Sequence, residues 1–166
     1  NKKTFPWGVL REPFYNIDRA DIIITNKINL YKESSPLKNS LLINTEFESE
    51  VLSSNKKITI NQLCDLKNVM SLCGVGKPES FQKSLSELNV HVVESLVYPD
   101  HHSFNKKDVS NIGLSIEKNK IGAIVCTEKD WVKLSSFKEK INAPIYAIKL
   151  KHSLNEEVRE AFLRLL

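Results

Sequence analysis

Four short apolar runs, each emptying into a turn, constrain this fold more than any other feature of the chain. They are Val69-Met70-Ser71-Leu72-Cys73, residues 90–97, Ala123-Ile124-Val125-Cys126 and residues 145–150. Runs of this length, rich in β-branched residues, read as strands, the one over 90–97 as largely buried. Segments of helical period follow them. Residues 79–88 put Phe81, Leu85 and Leu88 on one face, and residues 106–119 do the same with Val109, Ile112 and Ile116. Pro78 suits a first helical position, where its missing N–H costs nothing, and Asn105 suits an N-cap. Thr127-Glu128-Lys129-Asp130, a variant capping box, opens a helix expected to run through about Phe137. Ser153-Leu154-Asn155-Glu156 is an S-x-x-E box, starting a helix with Val158, Phe162 and Leu165 along one side. The alternation predicts an α/β fold, a three-layer α/β/α Rossmann-like arrangement around a mainly parallel sheet.

The first part of the chain is less regular. Pro13 biases Glu12 away from helix, so Arg11 and Glu12 are expected on a loop; the alternative is a surface salt bridge between them, worth little. Arg19-Ala20-Asp21 leads into Ile22-Ile23-Ile24-Thr25-Asn26, a short strand. Ser34-Ser35-Pro36 marks a turn, residues 41–47 a second strand, and Ser53-Ser54-Asn55 a break before Ile58-Thr59-Ile60. The expected organisation is an N-terminal strand or ribbon segment over 1–62, serving as cleft or hinge, and an α/β domain over 63–166.

Composition narrows the partners. A net charge of +4, from 24 basic and 20 acidic residues, is mild, and the lysines are scattered with few aromatics beside them. That is a solvated surface, not a nucleic-acid stripe. No apolar run approaches the roughly 18 residues of a membrane span, and no signal peptide is visible. Cys64, Cys73 and Cys126 form no C-x-x-C pair and read as reduced core residues of a cytoplasmic protein. The chain opens on Asn1 rather than Met, from which the C-terminal part of a longer protein is expected.

Tyr98-Pro99-Asp100-His101-His102 carries the densest chemistry. Pro99 ends a strand, and ligands of open α/β sheets bind outside the carboxyl ends of strands. A carboxylate with two imidazoles there is either an ordinary turn or a site for acid–base or metal chemistry. Gly74-Val75-Gly76-Lys77-Pro78 invites a phosphate-loop reading, but the spacing fails G-x-x-x-x-G-K-[ST], and Pro78 replaces the hydroxyl. It reads as a structural turn. Glu128 and Lys129 follow a strand end on the same side as the Asp100 loop and are candidates to face the crevice.

Taken in order, Gly8-Val9-Leu10-Arg11-Glu12-Pro13, Arg19-Ala20-Asp21 before an isoleucine-rich strand, Gly74-Val75-Gly76-Lys77-Pro78-Glu79-Ser80-Phe81, Pro99-Asp100-His101-His102 and Thr127-Glu128-Lys129-Asp130 resemble the C-terminal portion of the tetraacyldisaccharide 4′-kinases of lipid A biosynthesis. The resemblance is weakest between Asn29 and Leu66. It implies a two-domain enzyme at the cytoplasmic face of the inner membrane, transferring the ATP γ-phosphoryl group to the 4′-hydroxyl of a lipid disaccharide 1-phosphate with Mg²⁺. Carried onto this chain, it makes Arg11 and His101 the catalytic residues, Arg11 on phosphate oxygens. Glu12 would help hold the Mg²⁺–nucleotide, with His101 as a second candidate at the metal and Glu128 and Lys129 lining the cofactor cleft. The family's N-terminal phosphate-loop domain and its Asp-Asp-Gly-Phe-Gln motif do not occur here, so the chain alone is expected to be inert. Two rivals stand beside this reading. A metal-dependent phosphoesterase of the Asp-His-His kind would need a D-x-D and adjacent glycines, and the chain has neither. A non-catalytic nucleotide- or anion-binding module is the other.

Overall fold

A computed structural model describes residues 3–8, 10–26, 40–53 and 57–165. The turn expected at Ser34-Ser35-Pro36 and the break at Ser54-Asn55 lie outside those residues. The chain divides into two compact units, Asn1–Glu46 with His152–Leu166, and Phe47–Lys151.

In the first unit a bridge between Thr4 and Leu10 closes a loop, and a 3₁₀ helix covers Phe14–Arg19. The expected strand at 22–26 forms only over Ile24–Thr25 (β1), parallel to Leu41–Leu42 (β2). Ile43 interrupts the expected run at 41–47, and Asn44–Phe47 (β3) continues it.

The second unit holds a six-stranded sheet. Its elements are Glu50–Ser53 (β4), Ile58–Thr59 (β5), Ile60–Cys64 (α1), Val69–Cys73 (β6), Pro78–Glu87 (α2), Val92–Val97 (β7), Lys106–Asn119 (α3), Ala123–Thr127 (β8), Glu128–Leu134 (α4) and Ile145–Ile148 (β9). The order across the sheet is β5-β4-β9-β8-β6-β7. Strands β6 to β9 are parallel, while β4 and β5 add an antiparallel edge.

Alternation along the strands builds a core on each face. Met70, Leu72, Ile124 and Ala147 pack with Val109, Ile112 and Ile116 of α3 and Leu134 of α4. Val69, Cys73, Val125 and Ile148 pack instead with Leu63 of α1 and with Phe81 and Leu85 of α2. Both faces of the sheet are therefore covered, and the expected three-layer architecture holds. From β6 the chain passes through α2 to β7 on one side, then through α3 to β8 on the other. The switch point of the winding lies between β6 and β8, which is where ligands bind in folds of this kind.

Three local expectations change. Strand β7 is not largely buried: it is the sheet's edge, its burial alternates, and Val93 and Val97 are 44% and 54% exposed. The run at 145–150 breaks after Ile148, and Leu150–Ser153 forms β10, paired with β3. The last helix, Glu156–Leu163 (α5), is capped by Asn155, whose side chain accepts from the Val158 N–H, while Ser153 sits in β10. Val158 is buried, but Phe162 and Leu165 are exposed.

Candidate functional site

Two loops and the first turn of α4 meet outside the carboxyl ends of β6, β7 and β8. Their joint is Asp130, in the first turn of α4 and wholly buried. Its Oδ2 accepts from the Gly74 N–H at 3.0 Å and from the Thr127 hydroxyl at 2.7 Å. Thr127 caps α4 as expected, Oγ1 accepting from the Asp130 N–H at 3.3 Å. The expected box is not reciprocated, because the Asp130 carboxylate takes the Thr127 hydroxyl and the Gly74 N–H rather than the Thr127 N–H. Oδ1 of Asp130 is buried without a hydrogen-bond partner among the described residues, an arrangement that costs about 1–3 kcal/mol and that folds keep where something else requires it.

Gly74 is glycine for space. A β-carbon there would lie 3.2 Å from Asp130 Oδ1, 3.2 Å from the Pro99 carbonyl oxygen and 3.6 Å from His102 Cβ. The first loop thus packs its backbone against both neighbours at once. This use of glycine differs from the phosphate-cradling one that the Gly-x-Gly spacing invites.

Residues 99–102 form a β-turn closed by the His102 N–H donating to the Pro99 carbonyl at 3.1 Å. His101 is its third residue, with φ at +60°, the position that ordinarily takes glycine. Its N–H donates to Asp100 Oδ1 at 3.0 Å, and Nε2 lies 3.9 Å from Asp100 Oδ2. The two histidines divide the labour. His101's side chain is 81% exposed, whereas His102's is 23% exposed. The His102 ring stacks on Tyr98 at 4.7 Å, meets Phe104 edge-on, and pairs through Nε2 with Asp108 Oδ2 at 2.9 Å. His102 is wedged into the packing of the loop, and His101 is the exposed imidazole of the two. The Lys133 ammonium donates to the His102 carbonyl at 2.8 Å.

Glu128 and Lys129 are exposed on the first turn of α4. The Asp108 carboxyl is held below its ordinary value, first by the His102 hydrogen bond and then, against burial, by the Asn105 N–H. Burial, helped by the charge of Asp130, pushes the Cys73 thiol up to about 11 and raises Cys126 as well. All three cysteines are free, with Cys73 and Cys126 buried and Cys64 half-buried.

Arg11 and Glu12 belong to the first unit, where both are exposed just ahead of Pro13. Glu12 does not pair with its neighbour. Its Oε2 accepts from Asn16 Nδ2 at 2.9 Å and forms an ion pair with Arg19. Residues three apart eclipse in a 3₁₀ helix, so Asn16 and Arg19 reach the same carboxylate. Arg11 lines an open concavity of about 530 Å³ together with Glu12, Pro13, Asn16 and Arg19. Of the expected site residues, then, His101, Glu128 and Lys129 lie in the second unit, and Arg11 and Glu12 in the first.

Mg²⁺ takes oxygen ligands at octahedral geometry and usually uses one or two carboxylates beside substrate phosphates. Glu12 offers a carboxylate of that kind; an imidazole such as His101 does not suit so hard an ion. Among the described residues no group of three His, Cys, Asp or Glu side chains is placed to hold a metal. The sequence gives no sign of the Asp130 bond to the Gly74 N–H or of the Lys133 bond to the His102 carbonyl. Thr127-x-x-Asp130 marks a helix start and says nothing of a bond to Gly74, 56 residues away. Lys133 carries no signal at all.

A curated tetraacyldisaccharide 4′-kinase from Flavobacterium psychrophilum is 35% identical over 159 residues, covering 86% of this chain and 43% of the relative. One from Syntrophus aciditrophicus is 31% identical, covering 84% and 42%. The chain thus spans less than half the length of these relatives. A crystal structure of LpxK from Aquifex aeolicus in complex with ATP matches 99% of this chain and 48% of that one, with a TM-score of 0.60 at 21% identity; the likeness supports the fold. The sequence model described as tetraacyldisaccharide-1-P 4′-kinase matches residues 1–166, and the chain belongs to that family.

Proposed function

We propose that these residues work as the C-terminal half of an ATP-dependent kinase, which phosphorylates the 4′-hydroxyl of tetraacyldisaccharide 1-phosphate at the cytoplasmic face of the inner membrane. The observation that carries this reading is the family match over the whole of residues 1–166. Two others support it. The relatives matched at 35% and 31% identity bear the name of this activity, and the solved relative from Aquifex aeolicus was crystallised with ATP. Among the described residues no helix is long and apolar enough to cross a membrane.

Phosphoryl transfer depends on positioning and on neutralising charge around the phosphates and Mg²⁺. In this reading Arg11 pairs with phosphate oxygens, as a guanidinium fork favours. Glu12, oriented by Asn16 and Arg19, supplies a carboxylate to the Mg²⁺–nucleotide. His101 acts on the reacting groups or on a carboxylate contributed by the other half of the enzyme, and not as a Mg²⁺ ligand. Glu128 and Lys129 line the nucleotide side of the cleft. In the complete enzyme His101→Ala should lower kcat by about 10²–10⁴-fold, the usual scale for such a group, with the thermal midpoint unchanged. Transfer of labelled γ-phosphate to the lipid disaccharide measures it, and turnover at the wild-type rate refutes the role.

A further inference from the structure

We propose that α4 is the brace that holds the His101 turn in its working shape, with Lys133 as its direct positioning residue and Asp130 as an indirect one; this rests on the role given to His101 above. His101 sits at φ +60°, a conformation that persists in a side-chain-bearing residue only where the surroundings over-determine it. Besides the His102 N–H bond to the Pro99 carbonyl that closes it and the His102–Asp108 bond, three constraints act on the turn. Asp100 Oδ1 holds the His101 N–H, and the His102 ring is wedged between Tyr98 and Phe104. The third comes from another element, the Lys133 ammonium on the His102 carbonyl at 2.8 Å. That carbonyl lies one residue beyond the strained position, so holding it resists the backbone rotation by which His101 would relax.

Asp130 precedes Lys133 by three residues, and residues so spaced share one face of a helix. Asp130 holds the Gly74 N–H, and the space over Gly74 is bordered by the Pro99 carbonyl, the first residue of the same turn. One helix face therefore ties down the loop after β6 and the loop after β7 together. Asp130 is wholly buried, and the Lys133 ammonium commits one of its three donors to the His102 carbonyl. Asp130 keeps a buried Oδ1, unpartnered among the described residues, in this role. Such an arrangement is poor for stability and fits a part retained for positioning.

The test is a double-mutant cycle on kcat in the complete enzyme. Lys133→Met should lower kcat by about 10- to 100-fold, the scale of a slightly misplaced group, leaving KM for ATP unchanged. In a His101→Ala background it should lower kcat no further, because it acts through His101. Asp130→Asn should show the same non-additivity, and Lys133→Arg, which keeps a donor for the carbonyl, should recover most of the turnover. Circular dichroism melts of each variant report folding; if Lys133→Met does not fold, Lys133→Gln takes its place in the cycle. Losses that multiply in the double variant overturn the brace, as does wild-type kcat in Lys133→Met when His101→Ala is impaired. If His101→Ala itself turns over normally, the role of His101 fails, and the brace fails with it.

Discussion

At the residue scale, His101 stands where the backbone would choose glycine. A residue with a β-carbon in the left-handed region is disfavoured by about 1–2 kcal/mol, and φ at His101 is +60°. The adjacent imidazole shows the alternative. His102 is stacked, hydrogen-bonded and three-quarters covered, with its pairing to Asp108 fully explained by the packing of the loop. His101 has no such packing and yet occupies the strained position. Stability and activity should therefore separate there. His101→Gly should be about 0.5–1 kcal/mol more stable than His101→Ala, since glycine relieves the strain while loosening the unfolded chain. Both variants should be equally impaired in turnover. Urea unfolding of the two, side by side, measures the difference; an alanine variant as stable as the glycine one would show that the turn is not strained.

At the element scale, α3 shows what a sequence makes plain. Its three inward residues repeat at helical spacing, Asn105 caps it by accepting from the Lys107 and Asp108 N–H groups, and Asp108 reaches back to the Asn105 N–H at 2.9 Å. The same Asp108 oxygen takes the His102 ring, so the cap joins the helix to the loop before it. A carboxylate held below its ordinary value of 3.8 contributes stability above that pH and loses it as the pH falls through the lowered folded-state value. Wild type should accordingly exceed Asp108→Asn in stability at neutral pH, and the gap should close as the pH drops below 3.8. Denaturant midpoints at several pH values measure the gap, and a gap independent of pH would remove the Asp108 charge from the account. Elsewhere the elements were less legible. Strand β7 carries Val93 and Val97 on its open face, so apolar content alone implied burial that an edge position does not give. The break after Ile148 falls at Lys149, the one charged residue of 145–150, and a single lysine does not by itself end a strand. The Asp130–Gly74 clasp spans 56 residues and depends on the order of strands in the sheet, which no local pattern encodes.

At the scale of the whole molecule, the second unit has what a fold requires: a six-stranded sheet with a packed core on each face. Catalysis needs more than a fold. A phosphoryl-transfer site has to cradle the β- and γ-phosphates, fix Mg²⁺ and orient the attacking hydroxyl. No G-x-x-x-x-G-K-[ST] occurs in these 166 residues. The described side chains bring no three metal ligands together, and the chain matches only 43% of the Flavobacterium psychrophilum relative. Folding and activity should therefore come apart. The purified 166-residue chain should show cooperative unfolding by circular dichroism, yet neither hydrolyse ATP nor transfer its γ-phosphate, with or without added Mg²⁺. Fusion behind the N-terminal half of the Flavobacterium psychrophilum kinase should restore transfer to the lipid disaccharide, and His101→Ala in that fusion should abolish the gain. Metal-dependent transfer by the chain alone would overturn this expectation. A fusion that folds but stays inactive would instead mean that kinship to the family does not extend, in this chain, to its chemistry.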